Sequence, residues 1–142
     1  MPIAKNIVEN QKTRVHDKFG SGQYGASRDA GTRTHNGIDI IASPNESIFC
    51  PIQGSIVRQA MPYKDDPSYE GVVIEGREEW SGYELKIFYM EGLFSGDANE
   101  SQKIGFAQNL TKKYPNITNH IHLEVRYKGE LIDPFELWQY SF

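Results

Sequence analysis

The stretch 120-HIHLEVRY-127 decides the fold class, because polar and apolar side chains alternate along it. In an extended chain, residues two apart project from the same face. One face would then be buried, and it carries three aliphatic side chains: Ile121, Leu123 and Val125. The opposite face would be polar, and it carries three groups that can bind protons or metals: His120, His122 and Glu124. The pattern predicts a β-strand that packs one face on a core and presents imidazoles on the other.

Four further stretches have the same period of two or an apolar run of strand length: GIDIIAS (37–43), ESIFCPIQGSIVRQA (46–60), GVVIEG (71–76) and YELKIFYM (83–90). Turn-forming pairs such as Ser81-Gly82 and Lys128-Gly129 separate them, at a spacing typical of antiparallel sheets. Helical patterns are confined to residues 1–13 and a turn that begins at Pro134. We therefore expect a mostly β, antiparallel single domain with a twisted or barrel-like sheet and short peripheral helices.

Length and charge exclude several classes of protein. A chain of 142 residues has room for one domain of ordinary size. We expect residues 1–15 to form an N-terminal extension and residues 16–142 to form the β domain. The net charge is −4, and the basic residues are interleaved with acidic ones, which argues against a nucleic-acid partner. No apolar stretch approaches the roughly 18 residues of a membrane helix, and the first twelve residues lack the apolar run of a signal peptide.

The single cysteine, Cys50, lies within the apolar run SIFCPI. One cysteine cannot form an intrachain disulfide, and an apolar setting is typical of a buried thiol. We expect Cys50 to be an unreactive core residue.

A second polar face begins at His35. The glycine and the aliphatic residues of HNGIDI (35–40) favour an extended chain, which would place His35, Gly37 and Asp39 on one side. Gly37 would leave space for an ion between the imidazole and the carboxylate. Imidazole and carboxylate ligands without a thiolate are typical of a catalytic zinc site with three protein ligands.

The residues alone leave the ligand set open. Four candidates compete for three places: His35, Asp39, His120 and His122. A His-x-His pair on a strand is also typical of an ordinary surface or core pair, so a metal-free β-sandwich is an alternative. The metal site is favoured because, in both stretches, the polar groups are spaced two residues apart and so share one face of a strand. Buried imidazoles and carboxylates on such a face require partners, and a metal ion would be one.

The order of these segments resembles that of the lysostaphin-type zinc metallopeptidases, whose pattern is HxxxD, then a G-x-V strand, then HxH. Matching segments are HNGIDI (35–40), ESIFCPIQGSIV (46–57), GVVIEG (71–76) and NHIHLEVR (119–126). GQYGASR (22–28), KKYPNITNHIHLE (112–124) and Asp133-Pro134 add a closer resemblance to the chemotaxin 2 branch of this fold. Together these segments extend over roughly residues 16–138, so residues 16–142 are identified as a lysostaphin-type zinc-binding domain.

The resemblance implies roles for individual residues. His35, Asp39 and His122 match the three Zn²⁺ ligands, and His120 matches a histidine that assists catalysis. The active peptidases have a further histidine in a Y-A-H-L strand, where this chain has Glu91. Glu91 is thus a candidate replacement base, as is Glu124; the alternative, which is more typical of such residues, is that both are solvated strand charges.

Two functions follow from the resemblance. In the first, the chain is a degenerate, secreted or extracellular peptidase-fold protein that binds zinc and acts mainly by binding a receptor, glycan or other cell-surface partner. In the second, it is an active zinc metalloendopeptidase that hydrolyses Gly-containing peptides such as peptidoglycan cross-bridges, with a zinc-bound water as nucleophile and His120 assisting. Absence of the expected histidine favours binding, since a positioned acid–base group is typically worth about two to four orders of magnitude in rate. The lone Cys50 departs from the disulfide-bonded chemotaxin 2 pattern and weakens the secreted assignment.

Overall fold

The computed structural model describes residues 2–14, 27–28, 33–34, 36–140 and 142. Short antiparallel strands account for most of the regular structure. In chain order they are β1 (Ser27–Arg28), β2 (Arg33–Thr34), β3 (Ile38–Ile41), β4 (Ser47–Phe49), β5 (Gly54–Ala60), β6 (Gly71–Gly76), β7 (Tyr83–Phe88), β8 (Met90–Gly92), β9 (Gly96–Ala98), β10 (Lys103–Ala107), β11 (His120–Tyr127) and β12 (Glu130–Ile132). Two 3-10 turns, Glu78–Trp80 and Pro134–Leu137, complete the described elements.

The main sheet has the strand order β12-β11-β7-β6-β5-β9, and β3 also pairs with β11. A smaller sheet has the order β4-β10-β8, and β1 pairs with β2. Every pairing is antiparallel. The predicted mostly β, antiparallel class is confirmed, and the strands that the structure describes form open sheets rather than a closed barrel.

Alternation along β11 and β7 builds the core. Ile121, Leu123 and Val125 of β11 are fully buried, as are Leu85 and Ile87 of the neighbouring β7. Burial of apolar side chains at about 25 cal/mol per Å² is the main force that holds such a sheet against its covering elements. Cys50 belongs to the same core, which confirms its prediction as a buried thiol.

The first residues of the chain add to this core without forming the predicted helix. Residues 2–14 contain no helix. The Ala4 amide donates to the carbonyl of Leu137 at 2.9 Å, and the Lys5 amide donates to that of Pro51 at 2.8 Å. These long-range bonds tie the segment to the rest of the domain, and Ile7 and Val8 are fully buried in the core. The domain boundary at residue 16 stays a prediction.

One row of residues crosses the main sheet where the polar face begins. Asp39 of β3 is paired with His122 of β11, His122 with Phe88 of β7, and Phe88 with Gly71 of β6. Paired residues on adjacent strands project from the same face of a sheet. The row therefore sets the carboxylate of Asp39 beside the imidazole of His122.

Candidate metal centre

The pair of Asp39 and His122 is the centre of the buried polar cluster. Asp39 is 3% exposed and His122 is 8% exposed. Nδ1 of His122 lies 2.9 Å from Oδ1 of Asp39. The pairing of β3 with β11 fixes this contact, because the aliphatic residues on either side of Asp39 and His122 anchor both strands in the core.

Glu124 holds the other nitrogen of the same imidazole. Nε2 of His122 lies 3.0 Å from Oε2 of Glu124, two residues further along β11. The ring of Phe88 stacks on the imidazole, with centroids 5.9 Å apart and planes 15° from parallel. Stacking and hydrogen bonding together fix the orientation of the His122 ring, so that Nδ1 is directed at Asp39.

Two carboxylates on one imidazole control its protonation. Burial alone would lower the pKa of His122, but hydrogen bonds to Asp39 and Glu124 raise it to about 9. The hydrogen bond from His122 lowers the pKa of Glu124 in turn. The imidazole therefore holds its proton near pH 7, and Nδ1 donates to Oδ1 of Asp39.

Arg14 supplies a second positive charge to Asp39. Nε of Arg14 donates to Oδ2 of Asp39 at 3.1 Å, and Nη2 lies 3.0 Å from the same oxygen. The backbone amide of Arg14 donates to the carbonyl of Asp39 at 2.7 Å. Arg14 is 2% exposed, so its guanidinium is buried in the cluster.

His120 borders the cluster in a different protonation state. Its Nδ1 lies 2.7 Å from the carbonyl oxygen of Thr118, which can only accept, so Nδ1 carries the proton. Its Nε2 then carries a lone pair and lies 3.5 Å from Oδ2 of Asp39. Burial lowers the pKa of His120, although the charge of Asp39 opposes the shift. A neutral His120 is a suitable proton acceptor near pH 7.

Tyrosines form one side of the same region. The ring of Tyr89 packs edge-on against the His120 ring, with centroids 5.7 Å apart. The hydroxyl of Tyr63 lies 3.0 Å from that of Tyr89 and 2.7 Å from that of Tyr114. Burial raises the pKa of Tyr89 to about 12, so its hydroxyl stays protonated. These bonds join the segments that precede β6 and β11 next to His120.

The donor set suits a divalent cation such as Zn²⁺. Oδ1 of Asp39 and Nδ1 of His122 face each other, and the contact from Glu124 to Nε2 matches the carboxylate–histidine arrangement that orients metal-binding imidazoles. Within the described ranges, no group of three or more His, Cys, Asp or Glu side chains is arranged to hold a metal by itself. His35, the third predicted ligand, lies outside those ranges. The ligand set His35, Asp39 and His122 therefore stays a prediction.

Glu91 lies apart from this cluster. It is exposed on β8, and its side chain makes no hydrogen bond or ion pair with any described residue. Its role as a replacement base stays a prediction. Glu124, in contrast, is not a solvated strand charge, since its side chain is 14% exposed and contacts His122.

Two features of the site escaped the sequence analysis. Arg14 has no local signal, because its contact with Asp39 joins residues 25 positions apart. The group of Tyr63, Tyr89 and Tyr114 likewise depends on chain segments that are distant in sequence. The contact of Glu124 with His122, in contrast, had a signal in the sequence, because the two residues share the polar face of the strand 120–127.

Comparison with known proteins identifies the family of this chain. The family model described as the LECT2 C-terminal domain matches residues 6–138. Leukocyte cell-derived chemotaxin-2 of Mus musculus is 33% identical over 117 residues, which cover 81% of this chain and 74% of the mouse protein.

Solved peptidase structures share the fold at lower identity. Lysostaphin superposes with a TM-score of 0.65 at 12% identity, over 92% of this chain and 54% of lysostaphin. A zinc-containing peptidase from Vibrio cholerae superposes with a TM-score of 0.57 at 19% identity, over 91% of this chain and 39% of the peptidase. This chain thus spans about half or less of the length of either solved chain.

Proposed function

Because this chain belongs to the LECT2 C-terminal domain family, with a lysostaphin-type fold, we propose that it is a zinc-binding, degenerate peptidase-fold protein. It acts mainly by binding a receptor, glycan or other cell-surface partner. The observation that carries the zinc site is the His122 imidazole held between the carboxylates of Asp39 and Glu124. We further propose that residues 16–142 form the zinc-binding domain, and that the protein acts outside the cell. No helix in the described part of the chain has the length and apolar character to cross a membrane.

Zinc would be held by Asp39 and His122, with His35 as the third ligand. When bound, Zn²⁺ supplies Lewis-acid chemistry, because it polarises carbonyl oxygens and lowers the pKa of coordinated water. Glu124 orients His122, and the stacked ring of Phe88 limits access of solvent to the imidazole. A site this buried is also a structural brace, since it joins β3 to β11.

The position of Glu91 favours binding over hydrolysis. An acid–base group must come within hydrogen-bond reach of the reacting atoms, and the Glu91 side chain forms no hydrogen bond or ion pair with Asp39, His120 or His122. A glutamate also lacks the N–H donor with which the missing histidine would stabilise a developing oxyanion. The chain would then keep zinc ligands while it lacks one group of the catalytic set.

Metal analysis tests the site. We expect the purified chain to hold one zinc per molecule, and a chelator to lower its melting temperature, since a ligand that binds only the folded state stabilises it. His122→Ala and Asp39→Ala should abolish zinc binding. Glu91→Gln is the matched control, because Glu91 is exposed and outside the cluster. Unchanged zinc content in both site variants would show the ligand assignment to be wrong.

A second function is supported by His120. Its Nε2 lone pair and lowered pKa suit a base that assists attack on a peptide carbonyl, so the alternative is a zinc metalloendopeptidase for Gly-containing peptides. Incubation with oligoglycine peptides and purified peptidoglycan, with and without chelator, separates the two functions. Chelator-sensitive cleavage would establish the peptidase, and its absence between pH 5 and pH 9 would leave the binding function.

A further inference from the structure

We infer that Arg14 is an internal counter-cation for Asp39, a positioning residue that keeps the site assembled without metal and lowers its affinity for zinc. The inference rests on the proposed zinc site. It goes further because it assigns opposite effects of one residue on the metal-free protein and on the metal complex.

The geometry divides the two oxygens of Asp39 between different partners. Arg14 contacts Oδ2 through both Nε and Nη2, at 3.1 Å and 3.0 Å. Oδ1 faces Nδ1 of His122 at 2.9 Å. Arg14 thereby orients the carboxylate so that Oδ1 is the oxygen directed at the imidazole. This orientation favours coordination of zinc by Asp39 through Oδ1 alone.

The backbone adds to this restraint. The Arg14 amide donates to the carbonyl of Asp39 at 2.7 Å, and the neighbouring Thr13 forms an isolated bridge with Ile40. The backbone that carries the guanidinium therefore runs antiparallel to β3 and is hydrogen-bonded to it. Strand pairing therefore sets the position of Arg14 next to Asp39.

Charge accounts for the two opposite effects. A buried carboxylate is costly unless positive charge accompanies it, and Arg14 supplies a permanent positive charge in the metal-free protein. The same fixed charge repels an incoming Zn²⁺ at close range in a buried site, where screening is weak. Removal of the charge should destabilise the metal-free protein and tighten zinc binding, whereas a merely structural arginine would weaken both.

The experiment compares the full-length chain with Arg14→Gln and Arg14→Lys. For each protein, zinc affinity is measured by competition with a chelator dye, and the melting temperature is measured with and without zinc. Arg77→Gln is the matched control, because Arg77 lies 3.6 Å from Asp97 in an ion pair outside the site.

For Arg14→Gln we expect the metal-free melting temperature to fall by about 10 °C and zinc to bind about tenfold more tightly. Zinc should restore most of the lost melting temperature. Arg14→Lys, which keeps the charge, should bind zinc within about threefold of the wild-type affinity, and Arg77→Gln should leave that affinity unchanged.

Three outcomes would overturn the role of Arg14. They are an unchanged or weaker zinc affinity in Arg14→Gln, an unaltered metal-free melting temperature, and a variant that stays unfolded at saturating zinc. In each case zinc binding by the wild-type chain would leave the proposed function standing. Failure of the wild-type chain to bind zinc would instead overturn the proposed zinc site and the role of Arg14 together.

Discussion

Nδ1 of His122 lies 2.9 Å from Oδ1 of Asp39, although the two residues are 83 positions apart in the chain. The antiparallel register of β3 and β11 pairs them directly. Neither side chain could be buried alone without a large cost in desolvation, so each depends on the other and on its remaining partners. The variants below separate the contributions of those partners.

Glu124→Gln should weaken zinc binding by about 10- to 100-fold, as is usual when a carboxylate that orients a metal-binding imidazole is removed. Glutamine keeps the length of the side chain but loses the charge that supports His122. Glu130→Gln, at the exposed first position of β12, is the control. Chelator competition gives the affinities, and equal values for the two variants would contradict a role for Glu124.

His120→Ala should leave zinc content unchanged. Its imidazole Nε2 is 3.5 Å from Oδ2 of Asp39, the oxygen on the Arg14 side, whereas His122 faces Oδ1. Metal analysis beside His122→Ala provides the comparison, and loss of zinc from His120→Ala would make His120 a ligand. If the wild-type chain cleaves peptides, this variant should lose at least about 100-fold in kcat.

Gly37→Ala should destabilise the fold by at least about 3 kcal/mol, as expected for a severe steric overlap in a packed interior. A Cβ at residue 37 would lie 2.0 Å from the backbone oxygen of Leu123, which would push β3 away from β11. Gly37 thus allows the backbone before β3 to approach β11 closely, and it does not provide open space for an ion.

Urea denaturation measures this cost. Gly129→Ala is the control: its φ is +86° and nothing lies within 4 Å of the added Cβ, so only backbone strain of about 1–2 kcal/mol is expected. A smaller loss in Gly37→Ala than in Gly129→Ala would show that β3 can move at little cost.

Cys50 should react slowly with iodoacetamide in the native protein. Burial raises the pKa of its thiol to about 11, and Sγ lies 3.1 Å from the carbonyl oxygen of Ile52. At pH 8.5 the native thiolate fraction is then about two orders of magnitude below that of an unfolded chain. Alkylation followed by mass spectrometry, with a guanidinium-unfolded sample as control, checks the rate. Equal rates would mean that Cys50 is exposed to solvent.

The raised thiol pKa also has a consequence for stability. The unfolded thiol ionises near pH 9, whereas the folded thiol ionises near pH 11. The unfolded state therefore binds fewer protons in this window, and the stability of the fold should decrease as pH rises from 9 to 11. Cys50→Ala should reduce this loss, as urea titrations at pH 8 and pH 10.5 would measure.

The sequence by itself determined the β class, the buried faces and the sharing of one face by His120, His122 and Glu124. These properties follow from the two-residue period of an extended chain, which local covalent geometry imposes. Family membership was also predictable, because the ordered motifs from HNGIDI to HIHLEVR can be read directly from the sequence.

Only the tertiary structure decided which groups meet. Strand register set Asp39 against His122, and the segment before β1 delivered Arg14 to the same carboxylate. Glu124 became a partner of His122, while Glu91 was left exposed on a separate sheet. Periodicity fixes which way a side chain faces, but contacts between distant residues depend on strand pairing and on the balance of burial and charge across the whole domain.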